Sequence, residues 1–259
     1  MLSILSKGPF TCINCGQGRS STVYRVYGKK ENDDVPVTHM KLTQCPSCEK
    51  YIDDYVELDS CILFLDALLQ RPRFYRHVLI NCNLTNRLTV KFFMVLLLSD
   101  TIFSWSRVQI VNGGAGEVTY VDLEFAFYRT FIRSLLENVI FLFCLMLHFK
   151  CYVQFFDREV PDKEVLQAII YASFVKVFKM LTILWVSEFQ TPSIIMLDVL
   201  HGLSISQSLN VVLNRNRSKF MENDAQNQGK EVKPFKRIPL IFMTASSKLF
   251  FLSFLPYFF

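Results

Sequence analysis

Residues 131 to 149 read FIRSLLENVIFLFCLMLHF, and the nine from Val139 to Leu147 carry no polar interruption. A helix rises 1.5 Å per residue, so about 20 such residues cover the ~30 Å hydrocarbon core of a bilayer. Comparable windows lie at 165 to 186, 193 to 213 and 239 to 259, and a weaker one at 88 to 111 is interrupted by Asp100 and Arg107. Ordinary buried helices run nearer 11 or 12 residues. The repetition therefore points to a helical membrane bundle over residues 91–213 rather than to an unusually apolar soluble domain. Composition agrees: of 259 residues 51% are apolar, 25 are Phe and 20% are charged, against roughly 25% charged in soluble domains. So much apolar side chain excludes disorder.

The net charge of +5 is informative only where it falls. Residues 214–237, NRNRSKFMENDAQNQGKEVKPFKR, carry seven Lys or Arg against three acids and predict a basic loop. Arg71, Arg73, Arg76 and Arg87 precede the first apolar window. Basic flanks mark the cytoplasmic side of a span. With both flanks cytosolic the number of spans between them is even, and four windows satisfy that if 88 to 111 crosses. Sequons at Asn83-Leu84-Thr85 and Asn216-Arg217-Ser218 make the topology testable, because a glycan on Asn216 contradicts it.

The chemical signal is at the other end of the chain. Cys12 and Cys15 form CINC, Cys45 and Cys48 form CPSC, and 29 residues separate the pairs. Two thiolates three apart share one tight turn, and two such turns complete a tetrahedral S4 set suited to Zn²⁺. Gly16 and Pro46 suit those turns, and the β-branched and aromatic residues from Ser21 to Tyr27 suit strands. The expected fold class is thus a small β-rich four-cysteine zinc ribbon followed by an α-helical multi-span membrane domain. Its parts are a ribbon over 1–60, an interfacial helical connector over 61–90, the bundle over 91–213, the basic loop over 214–237 and a C-terminal hydrophobic segment over 238–259. A charged excursion from Lys29 to Pro36 lengthens the ribbon. His39 is a minor alternative ligand, and a redox role for the thiols is disfavoured because no helix opens behind either pair. Cys61, Cys82, Cys144 and Cys151 read as small apolar residues. The apolar start of the chain is too short for a signal peptide, so reduced thiols in the cytosol are expected.

CxxCG, then CxxC, the acidic tract YIDDYVELD and the stretch RPRFYRHVLIN, all ahead of several apolar windows, resemble the Arv family of endoplasmic-reticulum membrane proteins over Phe10 to Asn81. The resemblance implies a cytosol-facing zinc domain with Cys12, Cys15, Cys45 and Cys48 as ligands, on a multi-pass protein of the endoplasmic-reticulum membrane. It further implies a role in sterol uptake, trafficking and distribution among membranes, with effects on sphingolipid metabolism and on glycosylphosphatidylinositol-anchor assembly. Membrane lipids are the implied partners: a sterol, a sphingolipid or a glycolipid-anchor precursor. The alternative is a non-enzymatic adaptor that supports a lipid-biosynthetic enzyme.

Two further groups of residues invite function. An apolar helix from Cys61 to Leu69, capped by Ser60 and followed by Arg71, Arg73, Tyr75 and Arg76, suits a headgroup interface; packing against the ribbon is the alternative. Inside the membrane windows Lys176 and Lys179 share one helix face, as do Asp198, His201, Ser204 and Ser208. Polar residues at such depth need partners. Asp198 is expected to pair with Lys176 or Lys179, and Arg133 with Glu137. The chain shows no nucleophile elbow, phosphate loop, His-carboxylate metal set or dinucleotide fingerprint, so an enzyme is not expected. Seven basic against eight acidic residues over 1–60 argue against nucleic-acid binding.

Overall fold

The computed structural model describes residues 9–27, 39–112, 120–155, 160–183 and 190–224. Contacts divide the described residues into two compact units, one holding those up to Leu84 together with those from Val211, the other those of Thr85–Asn210. The ribbon and the connector, separated at residue 60 on sequence grounds, thus share one unit.

In that unit β1 (Phe10–Thr11) pairs antiparallel with β2 (Arg19–Ser20), and β3 (Tyr24–Tyr27) pairs with β4 (His39–Leu42). The register Tyr24↔Leu42 through Tyr27↔His39 puts His39 at the end of the hairpin away from Cys45. Phe10, Val23, Leu42 and Ile52 form a small core with Cys12 and Cys45. Helix α1 (Ser60–Leu68) follows, then α2 (Pro72–Arg76) and a π-turn over His77–Asn81. Asp59 rather than Ser60 stands at the N-cap of α1. Gln70 takes a left-handed backbone, φ 56°, between the helices, and Pro72 pre-sets φ for the first turn of α2.

The other unit contains α3 (Asn86–Asn112), α4 (Tyr120–Phe155), α5 (Asp162–Ala172) and most of α6 (Gln190–Asp224). Thr85 caps α3 by accepting the Leu88 N–H at 3.3 Å. Helix α5 tightens into a 3-10 helix over Ser173–Ile183, far longer than the usual three or four residues. Among the described residues four segments are long and apolar enough to cross a membrane: Asn86–Arg107, Leu123–Gln154, Asp162–Ile183 and Pro192–Arg215. The interrupted 88 to 111 window belongs with the rest, because Asp100 is neutralised at 3.0 Å by Lys176. Ile132, Phe143, Ile195 and Val199 stand exposed along the spans, as lipid-facing residues do.

Residues 214–224, read as the start of a loop, continue α6 instead. Their polar side chains lack apolar periodicity, but nothing in NRNRSKFMEND breaks a helix already propagating from the span. The Lys29 to Pro36 excursion, residues 225–237 and the C-terminal segment 238–259 lie outside the described residues.

Candidate metal centre and intramembrane polar cluster

The two CxxC turns are built alike. Cys12 O accepts from Gly16 N at 2.9 Å and Cys45 O from Glu49 N at 3.0 Å. Gly16 (φ 75°) and Glu49 (φ 58°), each following the second cysteine, turn the chain through the left-handed region. The turns face each other, with Cys12 Sγ 3.7 Å from Cys48 Sγ and Cys15 Sγ 3.7 Å from Cys45 Sγ. All four sulfurs lie within 4.8 Å of one another. A tetrahedral ion with M–S bonds of about 2.3 Å sets sulfurs about 3.8 Å apart, so the cage fits a zinc ribbon.

Backbone donors already point at the sulfurs: Gln17 N and Gly18 N lie 3.5 Å from Cys15 Sγ, and Ser47 N lies 3.4 Å from Cys45 Sγ. Burial drives the Cys12 thiol up to about 12. Burial acts on Cys15 too, but the Gly18 and Gln17 amides outweigh it and bring that thiol down to about 7. Sequence reasoning missed Gly18, where a Cβ would stand 2.1 Å from Cys45 Sγ. The glycine lets the first turn close against the second. A cation bound in this cage would tie the two turns together with no open coordination position, a structural rather than catalytic role.

Of the residues assigned to a lipid interface, three turn inward. Arg76 donates from Nη1 to the carbonyls of Ile13 and Asn14, both at 2.7 Å, inside the first cysteine turn. Burial lowers its pKa, while the Cys15 and Cys12 thiolates push it back up. Its guanidinium therefore serves as counter-charge to the thiolate cage. Tyr75 is 2% exposed, and its hydroxyl donates to Gln70 Oε1 at 2.6 Å. Arg73 holds both oxygens of Asp54, at 2.6 and 2.8 Å, and lies over the Tyr55 ring. Arg71 alone keeps a half-exposed side chain, paired with Asp66 at 2.9 Å. The acidic tract ahead of α1 thus supplies a partner for Arg73 and the first cysteine turn one for Arg76, the contacts that packing against the ribbon predicts.

A buried network, unforeseen from sequence, locks the connector to the ribbon. Asn81 accepts from Thr11 N and donates to Thr11 O, both at 3.0 Å, so its side chain takes the place of a strand partner for β1. Asn81 Nδ2 also reaches Asp53 Oδ2 at 2.7 Å, and His77 Nδ1 bonds the same oxygen at 2.7 Å. Burial disfavours charge on His77, but the Asp53 carboxylate prevails and raises its pKa to about 9. Cys82, read as a small hydrophobe, has its Sγ 3.5 Å from His77 Nε2.

In the bundle, Lys179 Nζ pairs with Asp198 Oδ1 at 3.0 Å, one of the two pairings expected. Lys176 goes elsewhere: its Nζ reaches Asp100 Oδ2 at 3.0 Å and Asn138 Oδ1 at 2.6 Å, with the Phe141 ring centroid 5.7 Å away. Asn138 Nδ2 donates to Asp100 Oδ2 at 3.0 Å, closing a ring of three side chains from three spans. Arg133 pairs with Glu137 at 2.9 Å, as their spacing predicts. His201, 1% exposed, meets Ser173 Oγ at 3.0 Å. Ser173, Lys176, Lys179 and Thr182 recur every third residue, so three residues per turn stack them in one row along the 3-10 segment. That period was the available signal. Asp100 and Asn138 were missed as partners of Lys176 because they stand on other helices, 76 and 38 residues away.

Fold and site together define a multi-pass helical membrane protein that carries an N-terminal four-cysteine ribbon. The profile of the Arv1-like family matches residues 11–209, so the chain belongs to that family. It is similar to Protein ARV1 of Mus musculus, 26% identical over 211 residues, which cover 80% of this chain and 75% of the mouse protein. It is also similar to Protein ARV 2 of Arabidopsis thaliana, 28% identical over 211 residues, 78% of this chain and 83% of the plant protein. Protein ARV1 of Candida albicans is 41% identical over 70 residues, 27% of this chain and 21% of the yeast protein. No solved structure matches.

Proposed function

We propose that this protein handles lipid in the endoplasmic-reticulum membrane, acting in sterol uptake, trafficking and distribution among membranes, with effects on sphingolipid metabolism. In this reading the ribbon holds a structural zinc and faces the cytosol, supported by the cage of four sulfurs and by the basic residues at both ends of the four-span segment. The observation that carries the reading is the polar cavity bounded by Asp100, Lys176 and Asp198 within a lipid-facing bundle. Ionisable groups at that depth are costly and persist for function. Helix α1 supports the cytosolic arm of the reading: Ile62, Phe64, Leu65 and Leu68 stand exposed with Leu69, and only Cys82 to Thr85 separate the end of the π-turn from the first span. Such an apolar face, tethered so close to a bilayer, suits the headgroup boundary.

Purified full-length protein in liposomes tests the reading. It is expected to accelerate sterol transfer between vesicles. Absence of transfer, with co-purification of a glycolipid-anchor biosynthetic enzyme, would instead establish the adaptor reading, in which the α1 face receives protein rather than lipid.

A further inference from the structure

The ionic groups around the bundle cavity are matched in sign. Lys176 faces Asp100, Lys179 faces Asp198 and Arg133 faces Glu137, with no carboxylate or ammonium among these six left over. The cavity has a volume of about 220 Å³ and is lined by Asp100, Asn138, Lys176, Lys179, Asp198 and His201, among others. Space of that size accommodates about seven waters, or the polar end of a larger molecule, but not a whole lipid.

Two features separate an entrance from a floor. Lys176 and Asp100 keep only 12% and 16% of their side chains exposed, whereas Asp198 keeps 38%. Asp198 therefore marks the mouth. Along α6 it is flanked by Ile195, Met196 and Val199, each exposed by 58% or more. An amphiphile entering from the hydrocarbon would set its polar end at Lys179 and Asp198 and lay its tail over this apolar surface.

Charge balance selects the polar end. A phosphate would have to displace a carboxylate from a lysine, and an ammonium would have to displace a lysine from a carboxylate. Each exchange strands a charge at the hydrocarbon-facing mouth, where no water compensates it. A neutral hydroxyl has one donor and two acceptor lone pairs, so it can donate to Asp198 and accept from Lys179 without disturbing the balance. Hydrogen bonds to charged partners are also the strong ones.

We infer that the cavity between the 3-10 segment and α6 is a binding site for the hydroxyl end of a neutral, uncharged-headgroup lipid, held by Lys179 and Asp198. The inference rests on the lipid-handling reading above and names the ligand class it implies. Sterols, diacylglycerols and ceramides share this chemistry.

The test is photo-crosslinking of the full chain in phosphatidylcholine nanodiscs, with diazirine analogues of a sterol, a diacylglycerol and a ceramide in separate arms. At least one is expected to label peptides of 173–183 or 192–205, and the arm that labels identifies the source. The unlabelled parent lipid should compete, and phosphatidylserine or phosphatidylcholine should not. Lys179→Met with Asp198→Met, which removes both charges together, is expected to cut labelling about tenfold. Ser104→Phe fills the cavity without touching an ion pair and should do the same. Thermal melting in detergent confirms that each variant remains folded. Labelling confined to other segments, equal competition by charged phospholipids, full labelling in a folded Ser104→Phe protein, or no labelling in any arm (a cavity holding water only) would overturn the site. Labelling needs no transfer activity, so a protein that labels here but moves no sterol between vesicles refutes transport and leaves the site standing.

Discussion

At the scale of single residues, small differences in contact separate scaffold from ornament. Gly18 has no freedom to change, since any Cβ meets Cys45 Sγ at 2.1 Å. Gly18→Ala is expected to lower zinc affinity about 10-fold to 100-fold, read by competition with a chromogenic chelator. His77 predicts a pH dependence. Its folded pKa of about 9 lies above the ordinary 6.5, so its contribution to stability is complete below about pH 6.5 and is lost as pH rises through 9. His77→Gln removes that contribution and leaves Asp53 buried without its cation, at a cost of about 3 kcal/mol. At saturating zinc, the gap in melting temperature between wild type and variant should narrow from pH 6 to pH 9. A constant gap would show that the imidazole is uncharged throughout.

At the scale of elements, the 3-10 segment and α1 show how far periodicity can be trusted. Lys176 and Lys179 were legible as one face, because three-residue spacing aligns side chains in either kind of helix. Their separate partners were not, since Asp100 and Asn138 lie on α3 and α4, 76 and 38 residues from Lys176. Asp198→Ala should lower abundance in cells by leaving Lys179 uncompensated. Lys179→Met should restore it and Lys176→Met should not, as immunoblots of the double variants will show. In α1 the apolar composition was legible, but the fate of Arg73 and Arg76 was decided by an acid and carbonyls 19 and 63 residues away. A fluorophore on Leu65→Cys should shift to the blue in nanodiscs relative to detergent-free denatured protein. Phe64→Asp on the same face should abolish the shift, whereas a shift that survives would place the probe against protein.

At the scale of the whole molecule, topology is the quantity at stake. In the proposed topology the four segments all cross and return the chain to the side on which it began, so that Asn83 and Asn216 share one compartment. With the ribbon in the cytosol neither sequon is glycosylated, and endoglycosidase should leave the mobility of protein from microsomes unchanged. A shift at Asn216 would overturn the orientation.

The sequence by itself determined the four thiolates, the membrane character and the spacing of the lysines. Each of these is local: a CxxC turn, a run of about 20 apolar residues and a three-residue period are complete within one segment. Tertiary structure alone decided what Arg73, Arg76, Asp100, Asn138 and Gly18 do. Their roles depend on groups many residues away, and burial raises the stakes of each such meeting, since an unpaired charge or a misplaced methyl group costs most where water cannot reach it.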